Sequence, residues 1–143
     1  LEKFPSFVER RKYNFERLKN GLLSTNQDGR ITERLILPEA CKNSDPSWFG
    51  FPITCQNGAN REKIVRYLED HGVQTRMLFA GNLTKHPCFD EMRASSEGYR
   101  VVGELKNTDR IMMDTFWIGV YPGMTDEMID YMVRMLAEAV NGQ

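Results

Sequence analysis

Apolar residues recur at helical spacing in two long segments, one near each end of the chain. The second segment, residues 126–140, has the clearer pattern, and Thr125 precedes it as a typical N-cap. The residues sharing its apolar face are Ile129, Met132, Val133, Leu136 and Val140. Residues 5–20 follow the spacing more loosely, with Pro5 in the first turn and Gly21 where a helix often ends. Both segments are predicted to be helices, and we expect Met132 and Leu136 in the core.

Shorter helical segments lie between these two. Asn60 is placed to cap a helix over residues 61–70, which carries apolar residues on one side. A short helix near 88–92 and a helical turn at 109–113 are also predicted. Residues 31–37 fit either a helix or a strand, and the pattern does not decide between them.

Three segments rich in aromatic and β-branched residues predict strands at 48–55, 73–79 and 115–121. Pro52 inside the first strand favours an edge position or a bulge, because proline has no backbone N–H for the ladder. Three short strands are too few for a large parallel sheet. The fold class that follows is α+β, with a small, mostly antiparallel sheet of about three strands and helices packed on it.

The composition excludes several classes of protein. The 143 residues suit one domain, and 41% of them are hydrophobic, which is enough to form a core. The net charge of −1 gives no reason to expect nucleic acid or a membrane surface as a partner. Three scattered cysteines are typical of a reducing, cytoplasmic compartment and predict neither a disulfide nor a metal site.

The residues alone show no catalytic constellation. His71 and His86 have no metal-ligand spacing with the cysteines, and His71 stands at a predicted helix end, where the dipole favours it. Arg76 lies in the predicted strand 73–79 and Arg110 precedes the strand 115–121, and a guanidinium at either place could bind a phosphate or carboxylate. The alternative for both is a solvated surface arginine, and spacing alone favours that alternative for Arg76. The aromatic residues around Gly50 could stack on a flat ring or pack in the core.

Five segments, taken together and in order, resemble the C-terminal part of the CDP-4-keto-6-deoxy-D-glucose 3-dehydrases. These enzymes belong to the sugar aminotransferase and dehydratase group with the aspartate-aminotransferase fold. The five segments are SWFGFPI at 47–53, TRMLFAGNLT at 75–84, YRVVG at 99–103, NTDRIM at 107–112 and FWIGVYPG at 116–123. The resemblance covers nearly the whole chain.

The resemblance implies that residues 1–143 are the small C-terminal domain of a larger, dimeric enzyme whose cofactor-binding large domain is absent. The chain opens at Leu1, close to a helix, which we expect of a cropped sequence. In the family the missing domain binds pyridoxal or pyridoxamine phosphate, with a histidine in place of the usual lysine. The C3 hydroxyl of a nucleotide-linked 4-keto-6-deoxy sugar is lost, and an upstream 2Fe–2S cluster and a reductase partner deliver electrons. The product enters the O-antigen of lipopolysaccharide.

The substrate of such an enzyme needs particular side chains in this domain. A diphosphate-linked sugar requires cationic or amide donors, and Arg110, Arg76 and Asn82 are predicted to supply them. Phe51 is predicted to pack against the sugar and cofactor. No catalytic, cofactor-binding or metal-binding residue is assigned within the chain, which is expected to be inert alone.

Two alternatives remain open at this point. The first is the small domain of a nucleotide-sugar aminotransferase, which an upstream lysine at the cofactor would identify. In aminotransferases of the group a histidine stands two or three positions before the proline of this loop, whereas His86 directly precedes Pro87 and favours the dehydrase branch. The second is a stand-alone dimerisation or binding module. The sequence assigns no role to His86.

Overall fold

Four short strands form a single antiparallel sheet in the computed structural model, which describes residues 1–26 and 28–142. The strands are β1 (Leu35–Ile36), β2 (Gly50–Cys55), β3 (Thr75–Met77) and β4 (Thr115–Gly119). Their order across the sheet is β1-β2-β4-β3, and every neighbouring pair is antiparallel. The predicted α+β class is confirmed, and the sheet has one strand more than the three expected.

Within residues 1–26 and 28–142, six α-helices accompany the sheet. They are α1 (Phe4–Ser24), α2 (Arg30–Arg34), α3 (Arg61–Asp70), α4 (Asp90–Ser95), α5 (Lys106–Asp114) and α6 (Asp126–Asn141), with 3-10 turns at Leu83–Lys85 and Pro87–Phe89. Both predicted caps are present, because the side chain of Asn60 accepts from Lys63 N at 3.0 Å and that of Thr125 accepts from Met128 N at 3.3 Å. The turn predicted at 109–113 is part of the longer helix α5, and residues 31–37 contain both a helix and a strand.

The core lies on one face of the sheet, beneath α1, α3 and α6. Alternate residues of the two central strands point toward it, as the period of two requires. These buried strand residues are Phe51, Ile53, Cys55, Phe116 and Ile118. Met132 and Leu136 of α6 are buried in the same cluster, which confirms their predicted place.

Gly21 does not end α1, as its position in the sequence predicted, but lies inside it. A Cβ atom at this position would stand 2.7 Å from Cγ2 of Val133 on α6. The glycine therefore allows the two helices to approach closely, and this packing outweighs its weak helix propensity.

We predict that Gly21→Ala lowers the free energy of unfolding, although alanine is the better helix former. Overpacking typically costs about 1–3 kcal/mol, against a propensity gain of about 0.5–1 kcal/mol. Urea unfolding measures the difference. The matched background is Val133→Ala, which removes the two methyl groups that the new Cβ would meet. In the Val133→Ala background, Gly21→Ala should raise the free energy of unfolding instead of lowering it. If Gly21→Ala destabilises both backgrounds, contact with Val133 is not the cause.

Two strand predictions need correction. β2 is an inner strand of the sheet rather than an edge, since it pairs with both β1 and β4. β1 pairs only with Thr54 and Cys55, so the side of β2 that faces β1 has no strand partner at Pro52. The missing N–H of the proline is therefore tolerated there. β3 is shorter than the predicted 73–79, and the chain leaves the extended region at Phe79, whose φ is +50°.

The three cysteines are free thiols that lie apart in the fold. Cys41 and Cys88 are exposed, whereas Cys55 is buried, and burial together with nearby Asp114 raises the pKa of its thiol to about 11. Among residues 1–26 and 28–142, no three His, Cys, Asp or Glu side chains come close enough to share a metal ion. In the same ranges, no helix has the length and apolar content needed to cross a membrane.

Candidate functional site

The face of the sheet opposite the core carries a row of three cross-strand neighbours. Trp117 on β4 is paired with Pro52 on one side and with Arg76 of the edge strand β3 on the other. Paired residues project from the same face, so Pro52, Trp117 and Arg76 share it, and the indole leans over Gly50, where a Cβ atom would stand 2.4 Å from Trp117 Cε3. The Trp117 Nε1 atom is buried and has no hydrogen-bond partner among the described residues.

A cavity of about 610 Å³ lies beside this row, between the sheet edge and α6. Its lining is Gly72, Val73, Gln74, Arg76, Trp117, Gly119, Tyr121, Met124, Glu127, Met128, Tyr131 and Met132. Arg76 is the cationic member of that lining, and one of its Nη1 donors reaches the Thr75 carbonyl at 2.9 Å. Because a guanidinium has five N–H donors, Arg76 keeps donors for an anionic ligand.

The segment after β3 turns back onto α5, and Asn82 fixes this turn. Its Nδ2 donates to Asp109 Oδ1 at 2.6 Å, and its Oδ1 accepts from Thr84 N at 3.1 Å and from Thr84 Oγ1 at 2.6 Å. The residue is only 2% exposed. Asn82 was predicted to donate to the substrate; the structure instead makes it the residue that holds the loop, with no accessible amide for a ligand.

Asp109 is the acceptor at the centre of this arrangement. Its second oxygen accepts from Lys85 Nζ at 2.7 Å. The hydrogen bonds from Lys85 and from Asn82 lower the pKa of the Asp109 carboxyl below its ordinary value. Arg110 is the next residue of α5, is exposed, and has no ion pair or hydrogen bond within residues 1–26 and 28–142. The loop is therefore tied to α5 beside a guanidinium that is free to bind an anion.

We predict that the order of the loop 81–86 depends on the charge of Asp109. A lowered pKa means that ionised Asp109 stabilises the fold above its unfolded pKa of about 3.9, and that this contribution is lost as the pH falls through the folded value. The protection factors of the amides at 81–86, which correct for the slower intrinsic exchange at lower pH, should fall on acidification, and in Asp109→Asn they should be low already at neutral pH. Glu62→Gln, which removes a surface pair with Arg66, is the control and should leave the loop unchanged. Equal protection in Asp109→Asn and the parent protein would contradict the role of this carboxylate.

Phe51 does not form a ligand surface, contrary to its prediction. Its ring is fully buried on the core face and packs against Phe15, with ring centroids 4.9 Å apart. The exposed rings belong to Phe49 and Phe79, which are 69% and 77% exposed. Phe49 is tilted against Trp117 at 5.0 Å between centroids, and these rings border a second cavity of about 160 Å³. Strand alternation points residue 51 toward the core. The rings available for stacking, Phe49 and Phe79, lie outside β2 and border the opposite face of the sheet.

His86 and His71 both have structural contacts. His86 Nε2 lies 2.5 Å from the Ala80 carbonyl, and Arg93 donates to the carbonyls of Thr84 and His86 at 2.6 and 2.9 Å. His71 caps the end of α3, with Nδ1 2.7 Å from the Tyr67 carbonyl. Sequence reasoning missed Asp109, Lys85 and Trp117 as site residues, because their roles follow from long-range pairing rather than from local pattern.

The site has the residues of an anion- and ring-binding surface but not those of a pyridoxal phosphate site. That cofactor needs an amine or imidazole at its reactive carbon and a partner for the ring nitrogen. The lining of the larger cavity has neither lysine nor histidine, and Lys85 is committed to Asp109. The described residues therefore do not fit the cofactor by themselves, although Arg76 and Arg110 fit a substrate phosphate.

Comparison with known proteins gives close relatives for this arrangement. The chain is 53% identical over 140 residues to the lipopolysaccharide biosynthesis protein RfbH of Salmonella typhimurium, covering 96% of this chain and 30% of that protein. It is 44% identical over 142 residues to dTDP-4-dehydro-2,6-dideoxy-D-glucose 3-dehydratase of Saccharopolyspora spinosa, covering 98% of this chain and 28% of that protein. The chain thus spans under a third of the length of these curated relatives.

The solved structure of GDP-4-keto-6-deoxy-D-mannose-3-dehydratase from E. coli, with bound hydrated PLP, superimposes with a TM-score of 0.72 at 22% identity. The match covers 95% of this chain and 32% of that one. The fold is therefore that of one third of a pyridoxal-phosphate-binding protein. Residues 1–137 match the DegT/DnrJ/EryC1/StrS aminotransferase family, and the chain belongs to that family.

Proposed function

We propose that the chain is the C-terminal part of a pyridoxal- or pyridoxamine-phosphate-dependent enzyme that removes the C3 hydroxyl of a CDP-4-keto-6-deoxyhexose. The product would serve dideoxysugar synthesis for lipopolysaccharide O-antigen. The observation that carries the proposal is the 53% identity, over 96% of the chain, to a lipopolysaccharide biosynthesis protein. The 44% identity to a sugar 3-dehydratase supports the same reaction.

In this proposal the chain's own residues bind and orient the substrate. Arg110 and Arg76 bind the diphosphate, because each presents free N–H donors from an exposed position on α5 or at the edge of the sheet. Asn82 and Asp109 hold the loop between those two elements. The cofactor, when bound by the remainder of the enzyme, supplies the electron sink for C–O cleavage. The sheet face with Trp117 and Phe49 helps to exclude water from the reacting sugar.

The partners follow from the same proposal. The complete enzyme would act as a homodimer, and a reductase would supply electrons through a 2Fe–2S cluster outside residues 1–143. The observation that Cys41, Cys55 and Cys88 are separate free thiols with no close pair in the sequence supports placing the cluster ligands elsewhere in the protein.

The experiment that tests the reaction class is amino transfer from labelled glutamate. The complete protein, its cofactor and a CDP-4-keto-6-deoxyhexose are incubated with ¹⁵N-glutamate, and the sugar product is analysed by mass spectrometry. A dehydratase leaves no ¹⁵N in the sugar. Stoichiometric ¹⁵N in the sugar would replace the proposal by its alternative, a nucleotide-sugar aminotransferase, which the family assignment supports as the second candidate.

We predict that residues 1–143 alone bind no pyridoxal phosphate and have no catalytic activity. The reason is that the cavity beside Arg76 has no amine or imidazole in its lining. Purified chain is mixed with pyridoxal phosphate, passed through gel filtration and examined for aldimine absorbance. The same chain unfolded in urea and treated in parallel measures non-specific adducts with its lysines. A stoichiometric adduct at one lysine of the chain would contradict the prediction.

A further inference from the structure

Glu69 stands at a position where its charge is unfavourable for its own helix. It lies beside Asp70 in the last turn of α3, and that turn contains no basic residue. The C-terminal end of a helix carries partial negative charge, so a carboxylate there destabilises the helix. Glu69 Oε1 accepts hydrogen bonds from Thr75 N at 2.6 Å and from Thr75 Oγ1 at 2.7 Å. The carboxylate therefore stabilises the strand that follows, β3, and not the helix that carries it.

Thr75 connects Glu69 to Arg76. It is the first residue of β3, is only 5% exposed, and is paired with the fully buried Ile118 of β4. Its carbonyl accepts from Arg76 Nη1 at 2.9 Å. The hydrogen bonds from Thr75 lower the pKa of Glu69, and the charge of Arg76 lowers it further. One residue is thus held by Glu69 at its amide and bonded to Arg76 at its carbonyl.

The place where β3 begins decides the face from which Arg76 projects. β3 has three residues and lies at the edge of the sheet, next to β4. Because side chains alternate along a strand, a slip of one residue would move Arg76 from the face that carries Trp117 to the core face. A contact that fixes Thr75 therefore also fixes the direction of the guanidinium.

We propose that Glu69 is a positioning residue for Arg76, which it holds through Thr75 in the direction that meets a diphosphate. The inference rests on the proposed function, in which Arg76 binds the diphosphate of the substrate. It predicts an effect whose sign differs from that of simple electrostatics. A carboxylate near an anion site repels the anion, so removing the charge alone should tighten binding. Removing the acceptor that holds Thr75 should weaken binding instead.

The test is titration calorimetry of inorganic pyrophosphate with the complete protein, to which pyridoxamine phosphate is bound so that the phosphate site of the cofactor is filled. Pyrophosphate has neither base nor sugar, so the result does not depend on the reaction that the enzyme catalyses. Glu69→Met should raise the Kd about fivefold. Glu69→Gln keeps an acceptor oxygen for Thr75 and should stay within about twofold of the parent.

A double substitution shows whether Glu69 acts through Arg76. Arg76→Met should raise the Kd about tenfold, the factor for one charge-assisted contact, and adding Glu69→Met should have no further effect. Thr75→Val keeps the volume of the side chain but removes the Oγ1 donor, and it should raise the Kd in the same direction as Glu69→Met. This variant keeps the test decisive if Glu69→Met does not fold.

Asp70 supplies the matched control, because Asp70→Met removes the same charge from the same turn of α3 at an exposed position. Its Kd should not rise. Equal or tighter binding in Glu69→Met and Thr75→Val would overturn the inference, and so would an equal loss in the Arg76→Met background. If Arg76→Met leaves the Kd unchanged, Arg76 does not bind the diphosphate and the inference fails with that assignment. A failure of C3–O cleavage, measured separately, would refute the proposed reaction and leave these Kd values as they are.

Discussion

Replacing Arg110 by lysine should lower kcat/KM of the complete enzyme roughly ten- to a hundredfold, even though the positive charge remains. The residue is exposed on α5, next to the Asp109 that ties the loop to this helix, and its guanidinium has no partner among the described residues. A guanidinium can bind two oxygens of a phosphate with paired, fixed hydrogen bonds, whereas an ammonium offers only a point charge. Arg110→Ala should lower kcat/KM at least as much as Arg110→Lys does.

The control for this substitution is a surface arginine with no place in the proposed site. In the described part of the chain, Arg66 on α3 forms only an exposed pair with Glu62, so Arg66→Lys should leave kcat/KM unchanged. Melting temperatures of all variants exclude a folding defect as the cause. If both Arg110 variants keep kcat/KM within about twofold of the parent, Arg110 is a solvated helix residue and the diphosphate is bound elsewhere.

Leu136→Ala should be the most destabilising single truncation on α6, at about 2–5 kcal/mol. Leu136 is completely buried in the cluster that joins α6 to the sheet. Removing its isobutyl group takes away apolar burial and leaves a cavity, and both effects oppose folding. Urea unfolding of the 143-residue chain gives the difference directly.

Met128 is the matched position for this truncation, since it lies on the same helix with half of its side chain exposed. Met128→Ala should lower the free energy of unfolding by well under half as much as Leu136→Ala. A Leu136→Ala chain that melts within about 2 °C of the parent would contradict the packing of α6 on the sheet, because even 1 kcal/mol shifts the melting temperature by several degrees in a domain of this size.

The helices and the fold class could be predicted from the sequence because the patterns that indicate them are local. The apolar face of 126–140 and the caps Asn60 and Thr125 are properties of short windows, and the structure confirms them. The prediction that Gly21 ends α1 was wrong because the role of this glycine is not local. It leaves room for Val133, which is far away in the sequence. The same holds for Pro52, whose tolerance depends on how far β1 extends.

The residues of the candidate site could be predicted from the sequence only in part. Arg76 and Arg110 could be proposed because arginine suits a diphosphate in any exposed setting, and both are exposed. Phe51 could have been excluded by strand alternation, which places it on the same face as Ile53 and Cys55. Asp109 could not have been found, since its significance arises from Asn82 and Lys85, which reach it only after the chain turns back onto α5.

The fate of the C3 oxygen is the most direct test of the proposed reaction. A CDP-4-keto-6-deoxyhexose labelled with ¹⁸O at C3 is incubated with the complete protein and pyridoxamine phosphate, and the sugar and the water are analysed by mass spectrometry. Cleavage of the C3–O bond predicts that ¹⁸O leaves the sugar and appears in the water. An enzyme that converts the sugar while all of the ¹⁸O stays at C3 would contradict the assignment as a 3-dehydratase.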